Sequence, residues 1–145
     1  MEKITVFIDG GSRGNPGPSA CGVVFTNKQG IIKKYSEHLG QGTNNFAEYS
    51  GLIFALKKAK ALFGKEKVKK MDFEIKSDSE LLVKQMKGEY KVLNPDIQPL
   101  FLSAWNLKID FNKVSFISIP REQNKLADQL VNESLNAHSK TQKLF

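Results

Sequence analysis

Sulfur and imidazole are scarce in this chain. Across 145 residues there is one cysteine, Cys21, and there are two histidines, His38 and His138. A lone thiol closes no internal disulfide, and three such residues scattered along the chain offer no zinc-ligand spacing. Long apolar runs are missing too. Nothing approaches the roughly eighteen consecutive apolar residues of a membrane-spanning helix, so no membrane is expected as a partner. The first residues run straight into a strand pattern, without the charged-then-apolar character of a secretion signal. These absences point to a reduced, cytoplasmic protein. No repeat, low-complexity tract or linker interrupts the chain, so residues 1–145 are expected to form one domain able to bury a core. Residues 138–145 read as a loose tail.

Arginine is the next scarcity. Basic residues number 22 against 15 acidic ones, for a net charge of +7, yet only Arg13 and Arg121 are arginines. The excess of positive charge suggests a polyanionic partner. Seven of the lysines fall between Lys57 and Lys70 and read mostly as a solvated helix face and its exit loop. The two arginines lie in loops with other unusual residues, and a guanidinium fork suits phosphate better than an ammonium does.

What is present is organised around residues 4–17. Ile4, Val6 and Ile8, with Phe7 opposite, predict a central strand covered on both faces. It runs into Asp9 and then a glycine-rich loop, starting at Gly10, that lets a ligand's backbone approach. A carboxylate at such a strand end is costly unless something binds it, and the natural occupant is a cation. Ala20 to Thr26 and Ile31 to Leu39 predict two further strands of an antiparallel meander. A glycine and amide cluster ending in helix-capping residues leads into an amphipathic helix, with Tyr49, Leu52, Ile53, Leu56, Ala59 and Phe63 on one stripe. Glu48 lies in its first turn, where a dipole-stabilising glutamate is also ordinary.

Met71, Phe73 and Ile75 mark a fourth strand that ends at Ser77-Asp78-Ser79, and Glu80 to Lys87 reads as a short helix. Asp78 therefore lies past a strand's C-terminal end, where α/β sheets place ligand sites, although a helix cap would explain it equally. A helix is predicted from Pro95 to about Leu107, with Leu100, Trp105 and Leu107 as core. Val114 to Ile119 is a fifth strand. The last helix carries Leu126, Ala127, Leu130, Val131 and Leu135 on its inner face, with Asp128 at the border and Asn124 one turn earlier.

Four acids thus sit at element ends or at the edges of buried faces: Asp9, Glu48, Asp78 and Asp128. Gathered together they would repel one another and raise their own pKa values, and they would suit hard divalent cations. In that order and setting they resemble the type 1 ribonucleases H. Asp9 to Gly17 is similar to that family's first motif, Thr43 to Tyr49 to its second, Ser77 to Leu82 to its third, and Arg121 to Asp128 to its fourth. The likeness covers residues 3–137. It implies a ribonuclease H-like α/β fold, with a five-stranded mixed sheet flanked by helices.

The resemblance further implies hydrolysis of the RNA strand of an RNA–DNA hybrid by two Mg²⁺ ions roughly 4 Å apart, with Mn²⁺ as a substitute. Asp9 would bridge both ions, Glu48 and Asp78 complete one site, and Asp128 complete the other. One ion would activate a water and the other stabilise the leaving 3′ oxygen. Asn15, Asn44 and Glu80 match positions that read the 2′-hydroxyl in the minor groove, and Thr43 matches one that holds a DNA-strand phosphate. Gly10, Arg13 and Asn124 complete the expected nucleic-acid contacts.

Three departures stand out. Glu80 replaces the family's common glutamine. Ser118 occupies the place of a loop histidine that many members carry, and Arg121 is expected to take over its role. Gly88 to Pro95 is too short for the basic handle of some bacterial members. No protein partner is implied, and a monomer is expected. Competing readings are an integrase, transposase or junction resolvase of the same superfamily, a hybrid-binding module without catalysis, and a basic α/β domain whose acids are caps and surface charges.

Overall fold

In the computed structural model, which describes residues 2–143, the chain forms one mixed sheet with helices on both faces. The elements are β1 (Lys3–Ser12), β2 (Gly17–Asn27), β3 (Gly30–Gly42), α1 (Asn44–Phe63), α2 (Lys65–Val68), β4 (Asp72–Ser77), α3 (Glu80–Met86), α4 (Gln98–Lys108), β5 (Lys113–Ser118) and α5 (Lys125–Lys143). A 3₁₀ turn, Arg121–Gln123, precedes α5. The strand order is β3-β2-β1-β4-β5. The first three strands are a meander of antiparallel neighbours, while β4 joins β1 in parallel and β5 joins β4 in parallel. This is the ribonuclease H-like α/β fold expected of the sequence.

Placing β1 at the centre follows from its side chains. Ile4, Val6 and Ile8 are wholly buried against Tyr49, Leu52 and Leu56 of α1, the face on which the helix stripe and the strand alternation meet. The core continues through edge-to-face aromatic pairs, Phe25 with Phe63, Phe63 with Phe73 and Phe73 with Phe111. Such pairs are worth about 0.5–1.5 kcal/mol each beyond their burial. The other face of β1 departs from expectation. It is only half covered: α5 packs on β2 near Gly22, where a Cβ would lie 2.5 Å from the Ala127 carbonyl oxygen. Phe7 instead lines a small open depression with Val24 and Leu126.

Several other expectations need correction. The fourth helix begins at Gln98 with Pro99 in its first turn, while Pro95 sits in the turn before it. Trp105 is 36% exposed and stacks on Phe101 rather than entering the core. Leu126 is 43% exposed, whereas Ala127, Val131 and Leu135 are buried as expected. The segment from His138 is not loose: it continues α5 as far as Lys143, and the His138 ring stacks on His38 of β3 at 3.7 Å. The last two residues of that tail lie outside the described residues. Cys21 is buried in β2, and burial pushes its thiol up to about 12. Among the described residues no helix is long and apolar enough to cross a membrane.

Candidate active site

The acids converge where the parallel strands end. β1 and β4 run side by side with Ile8 opposite Ser77, so Asp9 and Asp78 emerge together near the C-terminal ends of these two neighbouring strands. Glu48 is brought to them by a close backbone approach. A Cβ on Gly10 would lie 2.3 Å from the carbonyl carbon of Ala47 and 2.5 Å from the amide nitrogen of Glu48. Only glycine lets β1 and the start of α1 touch there, and the first turn of α1 is capped by the Thr43 hydroxyl, which accepts from the Phe46 amide at 3.1 Å.

As a result one carboxylate oxygen each of Asp9, Glu48 and Asp78 lie within 4.8 Å of one another. They form the floor of an open cleft of about 520 Å³, which Asp128 and Arg121 also line.

The electrostatics of this floor are strained. Asp9 is 6% exposed, and burial, then the charges of Asp78 and Asp128, push its carboxyl up to about 8. Glu48 is likewise held well above the usual carboxylate range, by burial first and then by Asp9 and Asp78. A backbone hydrogen bond from Gly10 and the positive charge of Arg121 pull Glu48 the other way. One Glu48 oxygen, Oε2, is buried without a hydrogen-bond partner. Clustered oxygens, suppressed ionisation and an orphaned buried acceptor are what a hard divalent cation relieves, so the donor set fits the expected metal.

The remaining candidates divide by position. Arg13 lines the cleft, and its guanidinium donates to Asn136 Oδ1 of α5 at 2.6 Å. Asn15 and Asn44 lock the loop to α1: the Asn44 amide N–H donates to Asn15 Oδ1 at 3.0 Å, and Ser12 N–H donates to Asn44 Oδ1 at 2.9 Å. Both side-chain oxygens are thereby engaged, which leaves the two NH₂ groups as donors. Thr43 sits away from the acids, in a second depression of about 290 Å³ shared with Pro16, Phe46 and Asn94. Glu80 is outside the cleft wall, unlike its neighbours Ser79 and Leu81, and Lys84 holds it in an i,i+4 ion pair at 2.8 Å.

Two residues expected to touch nucleic acid also have structural places. Gly10 lines the cleft and is pressed against α1 as described. Asn124 is 1% exposed. Its amide donates to the Ile8 carbonyl at 2.8 Å and to Asp78 Oδ2 at 3.3 Å, so it ties β1, Asp78 and the entry to α5 together from beneath.

Asn94 and Asn132 were not singled out by sequence reasoning. Asn132 lies one turn after Asp128 and donates to its Oδ2 at 3.4 Å, a placement that an i,i+4 reading of the last helix would have found. Asn94 followed by Pro95 carries a turn signal and little else.

Known proteins resemble this chain in sequence and fold. The family described as reverse transcriptase-like matches residues 7–134. Ribonuclease HI of Halobacterium salinarum is 38% identical over 135 residues, covering 92% of this chain and 65% of the relative. The bifunctional protein Rv2228c of Mycobacterium tuberculosis is 39% identical over 137 residues, covering 93% of this chain and 36% of the relative. Among solved structures, LC11-RNase H1 in complex with an RNA/DNA hybrid superposes with a TM-score of 0.89 at 41% identity, covering 93% of this chain and 98% of that one. The RNase H1 of H. salinarum superposes at 0.84, with 38% identity and the same coverage. The chain belongs to the ribonuclease H1 family. It spans about a third to two thirds of the length of these curated relatives, and nearly all of the two solved chains.

Proposed function

We propose that the protein is an endonuclease that hydrolyses the RNA strand of RNA–DNA hybrids. The observation that carries this is the trio of carboxylates within 4.8 Å at the cleft floor, set in a chain so similar to a protein crystallised with such a hybrid. Asp9, Glu48, Asp78 and Asp128 would hold two Mg²⁺ ions, Asp9 serving both sites, Glu48 and Asp78 one and Asp128 the other, with Mn²⁺ as the natural substitute. Bound there, the ions supply Lewis-acid stabilisation of the charge that builds on the phosphate and ease deprotonation of the attacking water.

The chain's own residues do the rest. Asn124 fixes Asp78, and Asn132 fixes Asp128. The free NH₂ groups of Asn15 and Asn44 are donors for a 2′-hydroxyl, the group that distinguishes RNA from DNA. Thr43, which shares its depression with Asn94, would take a phosphate of the DNA strand, as the family likeness implies. Arg13 and Arg121 bring the cleft its two guanidinium groups, suited to phosphate oxygens. Water adds to the phosphorus as the bond to the 3′ oxygen breaks, leaving a 5′-phosphate on one fragment and a 3′-hydroxyl on the other.

Within the family we place the chain among compact members without handle or loop histidine. Only a short segment joins α3 to α4, and Ser118 closes β5 opposite Ser77 while Arg121 lines the cleft. A monomeric single domain working in the cytoplasm is the accompanying expectation.

The test is cleavage of an end-labelled hybrid with Mg²⁺, with Mn²⁺ and with chelator, beside RNA–RNA and DNA–DNA duplexes and an Asp9→Asn control. Metal-dependent cutting of the hybrid's RNA strand alone, lost in the control, is the expected result. Hybrid binding without cutting would replace catalysis with a binding role.

A further inference from the structure

The lysine side chains hold one arrangement that the cleft does not use. On the outer edge of the sheet, Tyr35 of β3 packs edge-on against Phe25 and against Phe54 of α1. Two ammonium groups converge on that tyrosine: Lys33 Nζ lies 5.8 Å and Lys58 Nζ 5.1 Å from its ring centre, and Lys58 Nζ also lies 5.3 Å from the Phe54 ring. Neither lysine has an ion pair among the described residues, whereas Lys60, one turn-half further along α1, is neutralised by Asp110 at 2.6 Å. Lys57, exposed beside Lys58, likewise has no carboxylate partner among the described residues. Among the described residues Glu37, two residues along the strand from Tyr35, forms no ion pair with these lysines.

A ring face attracts a cation by about 0.5–1 kcal/mol at an exposed site, enough to bias a lysine's position and too little to cancel its charge. The edge of the sheet therefore presents clustered, positioned, unneutralised positive charge.

We propose that Lys33, Lys57 and Lys58 form a phosphate-backbone contact site for nucleic acid that extends beyond the cleft. It rests on the reading that the cleft takes a nucleic-acid duplex. Lys58 follows Glu48 by ten residues on the same helix, about 15 Å of axial rise, a distance that a duplex covers in about four base pairs. A polyanion held at the start of α1 thus has an adjacent stretch of backbone within reach of this patch. The groups offered are point charges on flexible stems, with the Tyr35 and Phe54 faces already occupied by lysine. That chemistry grips phosphates without reading bases. An acidic protein would be expected to meet open apolar surface among the charges, whereas here the Tyr35 and Phe54 rings are already faced by lysine.

The experiment compares wild type with K33E/K57E/K58E and with K33R/K57R/K58R, each in an Asp9→Asn background for binding and in the Asp9 form for cleavage. Binding of three probes is followed against salt: a hybrid just long enough to fill the cleft, a hybrid extending about fifteen base pairs further on either side, and a DNA duplex of the longer length. The glutamate variant is expected to bind both long probes more weakly, with the slope of log affinity against log salt reduced by about 3, one unit per lysine. It should bind and cut the short hybrid as wild type does, and the arginine variant should retain long-probe affinity.

Unchanged long-probe affinity overturns the proposal and leaves an acidic protein as the face's partner. Equal weakening on short and long hybrids also overturns it, by placing the lysines within the cleft's own footprint. If no hybrid is cut but the long DNA duplex still loses affinity in the glutamate variant, the patch stands and the nuclease reading falls.

Discussion

Asp9 has two states that differ in what they cost the fold. Its folded value of about 8 lies above its ordinary 3.8, so without metal the folded protein holds a proton that the unfolded chain has released over the interval between them. Stability from this group is fully present below about pH 4 and is lost as pH rises through about 8. Glu48 shifts in the same direction. Metal-free protein should therefore melt at progressively lower temperature across that window. Asp9→Asn should remove much of the decline, so that the gap between variant and wild type widens in the variant's favour from pH 5 to pH 8. A gap that is flat with pH would mean Asp9 is ionised in the metal-free fold.

Asn124 makes the opposite kind of contribution. Replacing it with alanine strips a hydrogen bond from the buried Ile8 carbonyl and frees Asp78, and should cost about 1–3 kcal/mol in denaturant unfolding together with a fall in turnover. Arg121 is exposed, and its loss should leave stability within about 0.5 kcal/mol of wild type. Turnover is where Arg121→Ala should fail, because this guanidinium reaches the cleft and acts on Glu48 by charge. Wild-type kinetics in that variant would remove Arg121 from the mechanism.

At the scale of elements, the site depends on how closely β1 and α1 approach. Gly10→Ala places a methyl 2.3 Å from the Ala47 backbone, where no side-chain rotation relieves the overlap. The helix must shift, carrying Glu48 with it. Overpacking of this kind typically costs about 1–3 kcal/mol, and here it should also weaken Mn²⁺ binding, measured by calorimetry, more than the same loss of stability imposed at a distant core position. Wild-type metal affinity in Gly10→Ala would mean that Glu48 is positioned by something other than this contact. The buried pair of Tyr49 and Gln85, with O–H to Oε1 at 2.6 Å, plays a similar part. Gln85 in turn donates to the Lys91 carbonyl at 3.1 Å, so the helix that carries Glu48 is tied to the segment leading to Asn94.

For the whole molecule, the cation and the fold are linked. Three acids forced together are a liability that a bound divalent ion turns into stabilisation, so Mn²⁺ or Mg²⁺ should raise the melting temperature by an amount that grows with the logarithm of its concentration. Asp9→Asn should respond far less. A wild-type melting temperature indifferent to either ion would return the acids to ordinary caps and surface charges.

Much of this was legible in one dimension. The alternation of Ile4, Val6 and Ile8 and the 3-4 spacing of Tyr49, Leu52 and Leu56 specify a strand face and a helix face, because side-chain periods of two and 3.6 follow from backbone geometry alone. A carboxylate at a strand end beside glycine marked Asp9, whereas Glu48, Asp78 and Asp128 each had an ordinary local explanation and were marked by the resemblance of all four motifs in order. What the linear pattern left open depended on which surfaces meet. The hydrophobic stripe of α5 did not reveal that Leu126 would face a half-empty depression, because burial depends on the element opposite. Nor could the residues around Asn124 show whether its amide faces a ligand or the underside of β1. Gly10 read as freedom for a ligand, and tertiary packing made it the seam between strand and helix. The residues determined which groups carry charge and which faces are apolar. The register of β4 beside β1, and the contact of Gly10 with Ala47, decided that one oxygen from each of three carboxyl groups lies within 4.8 Å of the others, since distances between remote segments exist only once the sheet has closed.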